Sequence, residues 1–271
     1  MEKVVTIDSL SKIDSYTIFD SYLLVDKHFS SFHLKGLCSK TILRYINKIK
    51  SLNKKVYILI DRIMFNDDLE ELKVYLYKLE EKEVDGYFFS DLGVLSLLKE
   101  MEILDKGIYY SQTQIVSSLE LQSYFNLGLK CVFASKDLPL ESIINISKEC
   151  KVGVNIFGYR NLFYSRRLLL SSYKDEFNLN GKFKDSGKYL IREQKRESKL
   201  IIFENDYGTY VFTSYIDNHI NHLSKFDQNF VSMVLFDDNF VKEELFENVI
   251  KYISSPKGLY KLSESEADTY E

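Results

Sequence analysis

KKVYILIDRIMFNDDLEELKVYLYKLEEKEVDGYFFSDLGVL, residues Lys54–Leu95, decides the fold. It opens on an apolar β-branched run, Val56–Ile60, passes through Asp61-Arg62, and continues as a helix-period segment, Asp67–Lys82. A second apolar and aromatic run, Val84–Phe89, ends at Ser90-Asp91 and leads into another helix-period segment, Leu92–Leu104. Strands alternating with helices of this length predict parallel βαβ units. Asn66-Asp67-Asp68 places acidic groups in a first helical turn, where the helix dipole favours them.

The rhythm extends outward from this stretch. Gly107–Tyr110, Lys130–Ala134 and Val152–Phe157 read as further strands, with helices at Ser117–Leu127 and Leu140–Lys148. Gly128 stops one helix, and Pro139 with Glu141 opens the next. Toward the N-terminus, Tyr22–Val25 reads as a weaker strand and Ser39–Leu52 as a helix. The units repeat at about 22 to 29 residues, near what an eight-unit barrel of roughly 250 residues requires. After residue 174 the rhythm breaks. Lys174–Gly187 reads as a loop, and Tyr189–Arg192, Leu200–Glu204 and Thr209–Thr213 as short strands, the last two flanking a turn at Asn205–Gly208. A short helix is predicted at Asp217–Lys225, a strand at Phe230–Phe236 and a helix at Asp238–Ile253. The predicted fold is therefore α/β, a TIM-barrel-like (β/α) barrel that is incomplete or irregular after residue 174. One domain covers 1–258, with an irregular insertion at about 174–214 and a frayed acidic tail at 259–271.

Composition sets bounds. The 271 residues are 45% hydrophobic, enough for one large core or two modest ones. Net charge is −4, so no global basic excess marks a nucleic-acid binder, though a local patch is compatible with it. Three scattered cysteines, Cys38, Cys131 and Cys150, argue against a disulfide framework or structural zinc site. With no apolar signal core and no membrane-length apolar segment, the expected location is the cytoplasm.

In parallel barrels chemistry sits at the C-terminal ends of the strands. Those ends carry Asp61-Arg62, Ser90-Asp91, Ser111-Gln112-Thr113-Gln114, Ser135-Lys136-Asp137 and Tyr159-Arg160-Asn161. Asp61, Asp91 and Asp137 are also the residue type that caps helices. Gln114 is a candidate ligand-facing amide, since buried amides and hydroxyls need partners. Arg166-Arg167 is either a solvated helix face or a phosphate or carboxylate clamp. Leu168-Leu169-Leu170 is expected in the core. The four histidines, His28, His33, His219 and His222, fall outside these strand ends, and no nucleophile elbow, HExxH helix or phosphate-binding glycine loop is present.

Four segments carry a resemblance to a known family. They are the opening stretch, YYSQTQIVSS (residues 109–118), VFASKDLPLESI (132–143) and FGYRNLFYSRRLLLSSY (157–173). In order and spacing they resemble the collagenase-like peptidase family, peptidase family U32. YLIREQKRESKLIIFENDYGTYVFTS (189–214) resembles a short-chain branch of it. The resemblance implies a TIM-barrel-like domain. It also implies one of two activities: peptide cleavage, or oxygen-independent hydroxylation of substrates such as tRNA uridine, often with a four-cysteine iron–sulfur cluster and by pairs of a short and a long paralogue. Asn161 and Leu168 stand where cluster-bearing members have cysteines, so no cofactor is expected on this chain. Val234 and Phe236 replace charged residues of the family, so that corner is expected to be apolar.

The reading that follows is a divergent, cluster-free subunit in tRNA uridine hydroxylation, with a longer paralogue as partner, tRNA reached through the complex, and no membrane or DNA contact. A peptidase and a non-catalytic small-ligand barrel are the alternatives. The candidate catalytic residues are Lys136, Asp137 and Arg167, and the candidate substrate-binding residues are Thr113, Gln114, Ser165 and Arg166. Gln114 and the arginines would hold a carboxylate or phosphate, and Lys136 with Asp137 would form an ion pair or acid/base pair. No metal site is expected.

Overall fold

The computed structural model describes residues 1–111, 115–179, 187–195 and 197–255. Thr113 and Gln114, and the acidic tail at 259–271, lie outside them. The first half alternates strand and helix: β1 (Glu2–Ile7), α1 (Ser11–Ser15), β2 (Ser21–Val25), α2 (Ser39–Ser51), β3 (Lys55–Ile60), α3 (Asn66–Glu80), β4 (Gly86–Phe89), α4 (Leu92–Glu100), β5 (Gly107–Tyr109), α5 (Ser118–Asn126), β6 (Cys131–Val132) and α6 (Leu140–Ile146). The second half comprises β7 (Val152–Ser165), α7 (Leu169–Glu176), β8 (Lys188–Arg192), β9 (Lys199–Asn205), β10 (Gly208–Asn218), a 3-10 turn at Ile220–Lys225, β11 (Val231–Phe236) and α8 (Glu243–Ser254).

Among the described residues eleven strands form one sheet in the order β6-β5-β4-β3-β2-β1-β11-β7-β10-β9-β8. Strands β1 to β6, β11 and the start of β7 run parallel, while β8, β9 and β10 add an antiparallel ladder on the outer half of β7. The sheet curls until β6 meets β7. One parallel bridge, Phe133 to Gly153, and the Ala134 N–H donating to the Gly153 carbonyl at 3.0 Å make that contact. A methyl group at Gly153 would lie 2.5 Å from the Phe133 ring, so only glycine lets the two strands approach there.

Period-two alternation divides the strand residues between two cores. Val4, Leu23, Leu59, Phe88, Ile108, Phe133, Met233 and Leu235 point into the curl. Val5, Leu24, Ile58, Phe89, Val154, Val234 and Phe236 point outward, against the helices. The helices meet this surface with apolar stripes, such as Ile42, Ile46 and Ile49 of α2 and Phe246 and Val249 of α8. A third cluster, Phe32, Ile201, Phe203, Tyr210 and Phe212, holds the β9–β10 ladder against the loop after β2. No helix is long and apolar enough to cross a membrane among the described residues.

Three expectations are corrected. Leu168 and Leu169 are about two-fifths exposed, because α7 stands beyond the outer half of β7, where no further layer covers it among the described residues. The stretch from Asp217 is not helical at its start: β10 runs on to Asn218, and only Ile220–Lys225 coils. The last helix begins at Glu243 rather than Asp238, which frees Asp237 and Asp238 for other contacts.

Candidate functional site

The ends of the parallel strands bring one buried polar cluster together. Met233 and Leu235 of β11 point inward, and Asp237 continues that row. His33 comes from the connection between β2 and α2, which folds back over the strand ends. Asp61 accepts the Ser31 N–H at 2.8 Å, and the Asn239 side chain donates to the Phe32 carbonyl at 2.9 Å and accepts the Leu34 N–H at 3.2 Å. These bonds fix the loop so that His33 Nε2 donates to Asp237 Oδ1 at 3.2 Å, with His33 Nδ1 4.0 Å from Asp61 Oδ2. Lys136, beyond β6, reaches Asp237 Oδ2 at 3.9 Å and lies 5.3 Å above the Tyr110 ring.

The electrostatics follow from burial opposed by pairing. Burial alone would push the His33 pKa down, but Asp237 and Asp61 outweigh it and the net shift is upward from 6.5. Burial would likewise lower Lys136, yet Tyr110 and Asp237 hold it above 10.5. Asp237 is held well below the usual carboxylate range, because His33 and Lys136 overcome its desolvation. Asp61 goes the other way: burial raises it, and the His33 interaction does not compensate. Burial pushes Tyr110 up to about 12. Two carboxylates flanking one imidazole are thus driven apart, one kept ionised and the other drawn toward its acid form, the usual pattern of an acid/base site.

A second set sits alongside. Arg160 donates to the Tyr215 hydroxyl at 2.6 Å and to the Lys136 carbonyl at 3.3 Å, and pairs with Asp137 at 3.5 Å and Asp217 at 3.7 Å. Beneath the cluster, Asp238 accepts from Tyr16 at 2.6 Å, Thr6 at 2.9 Å and Lys12 at 2.7 Å, tying the end of β11 to β1. Gly158 allows β7 to pass this point. Its φ is +144°, and a methyl group there would lie 2.7 Å from the Asp237 carbonyl oxygen. An open cavity of about 980 Å³ reaches His33 between the β2–α2 connection and the β9–β10 ladder.

Of the predicted site residues, Lys136 is in the cluster. Asp137 is at its rim, where it pairs with Arg160 and not with Lys136, so the expected Lys136–Asp137 ion pair does not form. Ser165 ends β7, and Arg166 and Arg167 follow it in the turn before α7. Arg166 stacks 3.8 Å over the Phe65 ring, and the Ser165 hydroxyl accepts the Arg167 N–H at 3.1 Å. The anion position at the start of α7 is taken by the chain's own Glu204, which accepts the Leu170 and Ser171 N–H groups at 2.8 and 3.0 Å. Among the candidate helix caps, Asp91 accepts the Gly93 N–H and caps α4, whereas Asp61 faces the cluster.

Two readings of the sequence are overturned. The corner at Val234 and Phe236 is not apolar at its tip, because both side chains point to the helices and Asp237 takes the inward position. His33 is not remote from the strand ends, because its loop returns over them. Asp237 was legible in the period-two alternation of β11; His33 left no local signal.

A four-thiolate cluster does not fit this chain. Cys38 is exposed beside Thr41, Cys131 lies in the inner core against Ser232, and Cys150 ends the turn after α6. Asn161 spends its amide on the Phe163 and Val211 carbonyls, and Leu168 precedes α7.

The family model described as peptidase family U32 matches residues 28–255. The chain belongs to this family. Among curated relatives, it is 28% identical over 166 residues to tRNA hydroxylation protein P2 of Bacillus subtilis, covering 59% of this chain and 53% of that one. It is 27% identical over 150 residues to tRNA hydroxylation protein P of Helicobacter pylori, covering 54% and 36%. It is also 29% identical over 184 residues to an uncharacterized protease of Methanocaldococcus jannaschii, covering 65% and 42%. The chain thus spans about half the length, or less, of the curated relatives it matches. A solved U32 peptidase superposes with a TM-score of 0.56 at 12% identity, over 88% of this chain and 92% of that one, which shows a shared fold.

Proposed function

We propose that this U32 protein is a component of tRNA uridine hydroxylation in the cytoplasm, built on a (β/α) barrel and acting beside a longer paralogue. The barrel reading rests on eight parallel strands, β1 to β6, β11 and β7, with the Phe133–Gly153 bridge as their closure. The functional reading rests on one observation above all, the buried His33–Asp237–Lys136 cluster at the strand ends. The relatives named for tRNA hydroxylation support the substrate class. In this reading Lys136 and Arg160 hold an anionic group of a substrate, His33 as imidazolium delivers or recovers a proton, and Asp237 stays ionised to hold both cations in place. No iron–sulfur cluster takes part on this chain, because its cysteines do not converge.

The test is nucleoside mass spectrometry of tRNA from a strain lacking the gene. A hydroxylated uridine is expected to disappear, to return with the wild-type gene, and not to return with Lys136→Met present at equal soluble level. An unchanged nucleoside profile in the deletion strain removes this reading and leaves the peptidase one to be assayed.

A further inference from the structure

The chain's charge is segregated. The run Gly158–Lys199 holds eleven Lys and Arg residues against five Asp and Glu, a net +6. The whole chain carries −4, so everything outside this run carries −10. Its described part, eight of those cations against four carboxylates, covers the outer half of β7, α7, β8 and the start of β9, in and beside the antiparallel extension that the rest of β9 and β10 complete. Even spreading of charge favours solubility; concentrating one sign on one extension of an acidic body serves an oppositely charged partner.

The register sharpens the point. Arg192 of β8 and Lys199 of β9 are direct cross-strand partners, and both are exposed. Like charges placed opposite each other destabilise a ladder. Among the described residues neither has a carboxylate in ion-pair range, and the same holds for Arg166 and Arg167. Among the described residues two cationic pairs are thus left without an ion-pair carboxylate, and a bridging anion would stabilise them. Exposed aromatic rings share the extension. Phe163, Tyr173 and Phe177 are about half exposed, with Tyr173 and Phe177 4.6 Å apart.

We infer that this extension is an RNA-binding flange, with the paired cations Arg192–Lys199 and Arg166–Arg167 holding backbone phosphates and the exposed rings stacking on unpaired bases. Arginine forks and lysines match phosphate oxygens, and aromatic faces accept any base. An acidic protein surface would use the cations and leave the rings in water, so RNA accounts for more of what is exposed. The strand that begins the flange passes Arg160 at the rim of the cluster, so a backbone held here carries a nucleotide toward the barrel mouth. The inference draws on the hydroxylation reading only for its choice of probe.

The experiment is fluorescence anisotropy of the full chain with a labelled, in-vitro-transcribed tRNA across a KCl series. Each phosphate contact contributes about 0.7 to 0.9 to the slope of log affinity against log salt. The double variant Arg192→Gln/Lys199→Gln is expected to lose about 1.5 of that slope and to bind about ten-fold more weakly at 0.1 M salt. Arg166→Gln/Arg167→Gln, on a different element, is expected to behave alike, so one misfolded variant does not decide the matter. Lys40→Gln on α2 is expected to leave binding unchanged. Wild-type affinity in both double variants overturns the inference, and so does polyglutamate competing as well as tRNA at equal charge. Because binding is read without modification, a flange that binds tRNA in a strain with normal nucleosides separates this inference from the hydroxylation reading.

Discussion

Asp237→Ala is expected to destabilise the protein by about 3 to 5 kcal/mol, the cost of leaving buried charges without their partner. For a chain of this size that corresponds to a melting temperature lower by roughly 10 °C. Among the described residues Asp237 is the one carboxylate that touches both cations of the cluster, His33 at 3.2 Å and Lys136 at 3.9 Å. Its removal leaves an imidazole and an ammonium side by side in a desolvated site. The pH dependence follows from the signs of the shifts. His33 is raised above 6.5, so its contribution is fully present below pH 6.5 and is lost as pH rises through the higher folded value. Asp237 is lowered from 3.8, so its contribution is present above pH 3.8 and is lost as pH falls toward its folded value. Between these limits both contribute. Asp237→Ala is expected to flatten the stability profile on the alkaline side, because His33 no longer has the partner that chiefly raises it. Thermal melts from pH 5 to 9 check this, and a variant that keeps the wild-type alkaline decline shows that His33 is not held by Asp237.

Gly158→Ala is expected to cost about 2 to 5 kcal/mol, combining backbone strain with overpacking. The strain arises because φ is +144°. The overpacking arises because the added methyl meets the Asp237 carbonyl oxygen at 2.7 Å and the Asp237 Cβ at 2.9 Å. Neither neighbour is the free end of a flexible chain, so relief requires β7 and the end of β11 to part. The Asp237 N–H donates to the Phe157 carbonyl at 2.8 Å across this same contact, and parting the strands breaks it. The variant should therefore share the flattened alkaline profile of Asp237→Ala as well as its lower melting temperature. A Gly158→Ala protein as stable as wild type would show that the two strands separate freely here.

The parallel strands were legible because each is a short apolar run bounded by polar strand ends and followed by a helix-period segment, as Val56–Ile60 and Asp67–Lys82 show. The strand-end rule found Lys136 and Asp61, since it needs only the boundary of a strand. It missed Asp237, although the alternation of Met233 and Leu235 with Val234 and Phe236 carries the information: the inward row ends in a carboxylate. His33 was not legible at all. It sits in a connection of irregular backbone, and only the long-range bonds to Asp61 and Asn239 bring it to the site. Leu168 and Leu169 misled for the opposite reason: hydrophobicity marks a residue that could be buried, and here no layer among the described residues comes to bury them.

The seam between β6 and β7 has a consequence for how the site breathes. β5 is three residues long and β6 two, and a single bridge carries the contact to β7. Short ladders with few hydrogen bonds open locally at far lower cost than the whole molecule. The amides of Val132 and Ala134 are therefore expected to exchange with solvent deuterium well before those of β2 and β3, which mass spectrometry of exchanged peptides would show. Lys136 lies just beyond that seam. Fraying of this two-residue strand is therefore expected to loosen the Lys136–Asp237 contact before the rest of the sheet opens, against the tethers from Ser135 to Ile115 and from Arg160 to the Lys136 carbonyl.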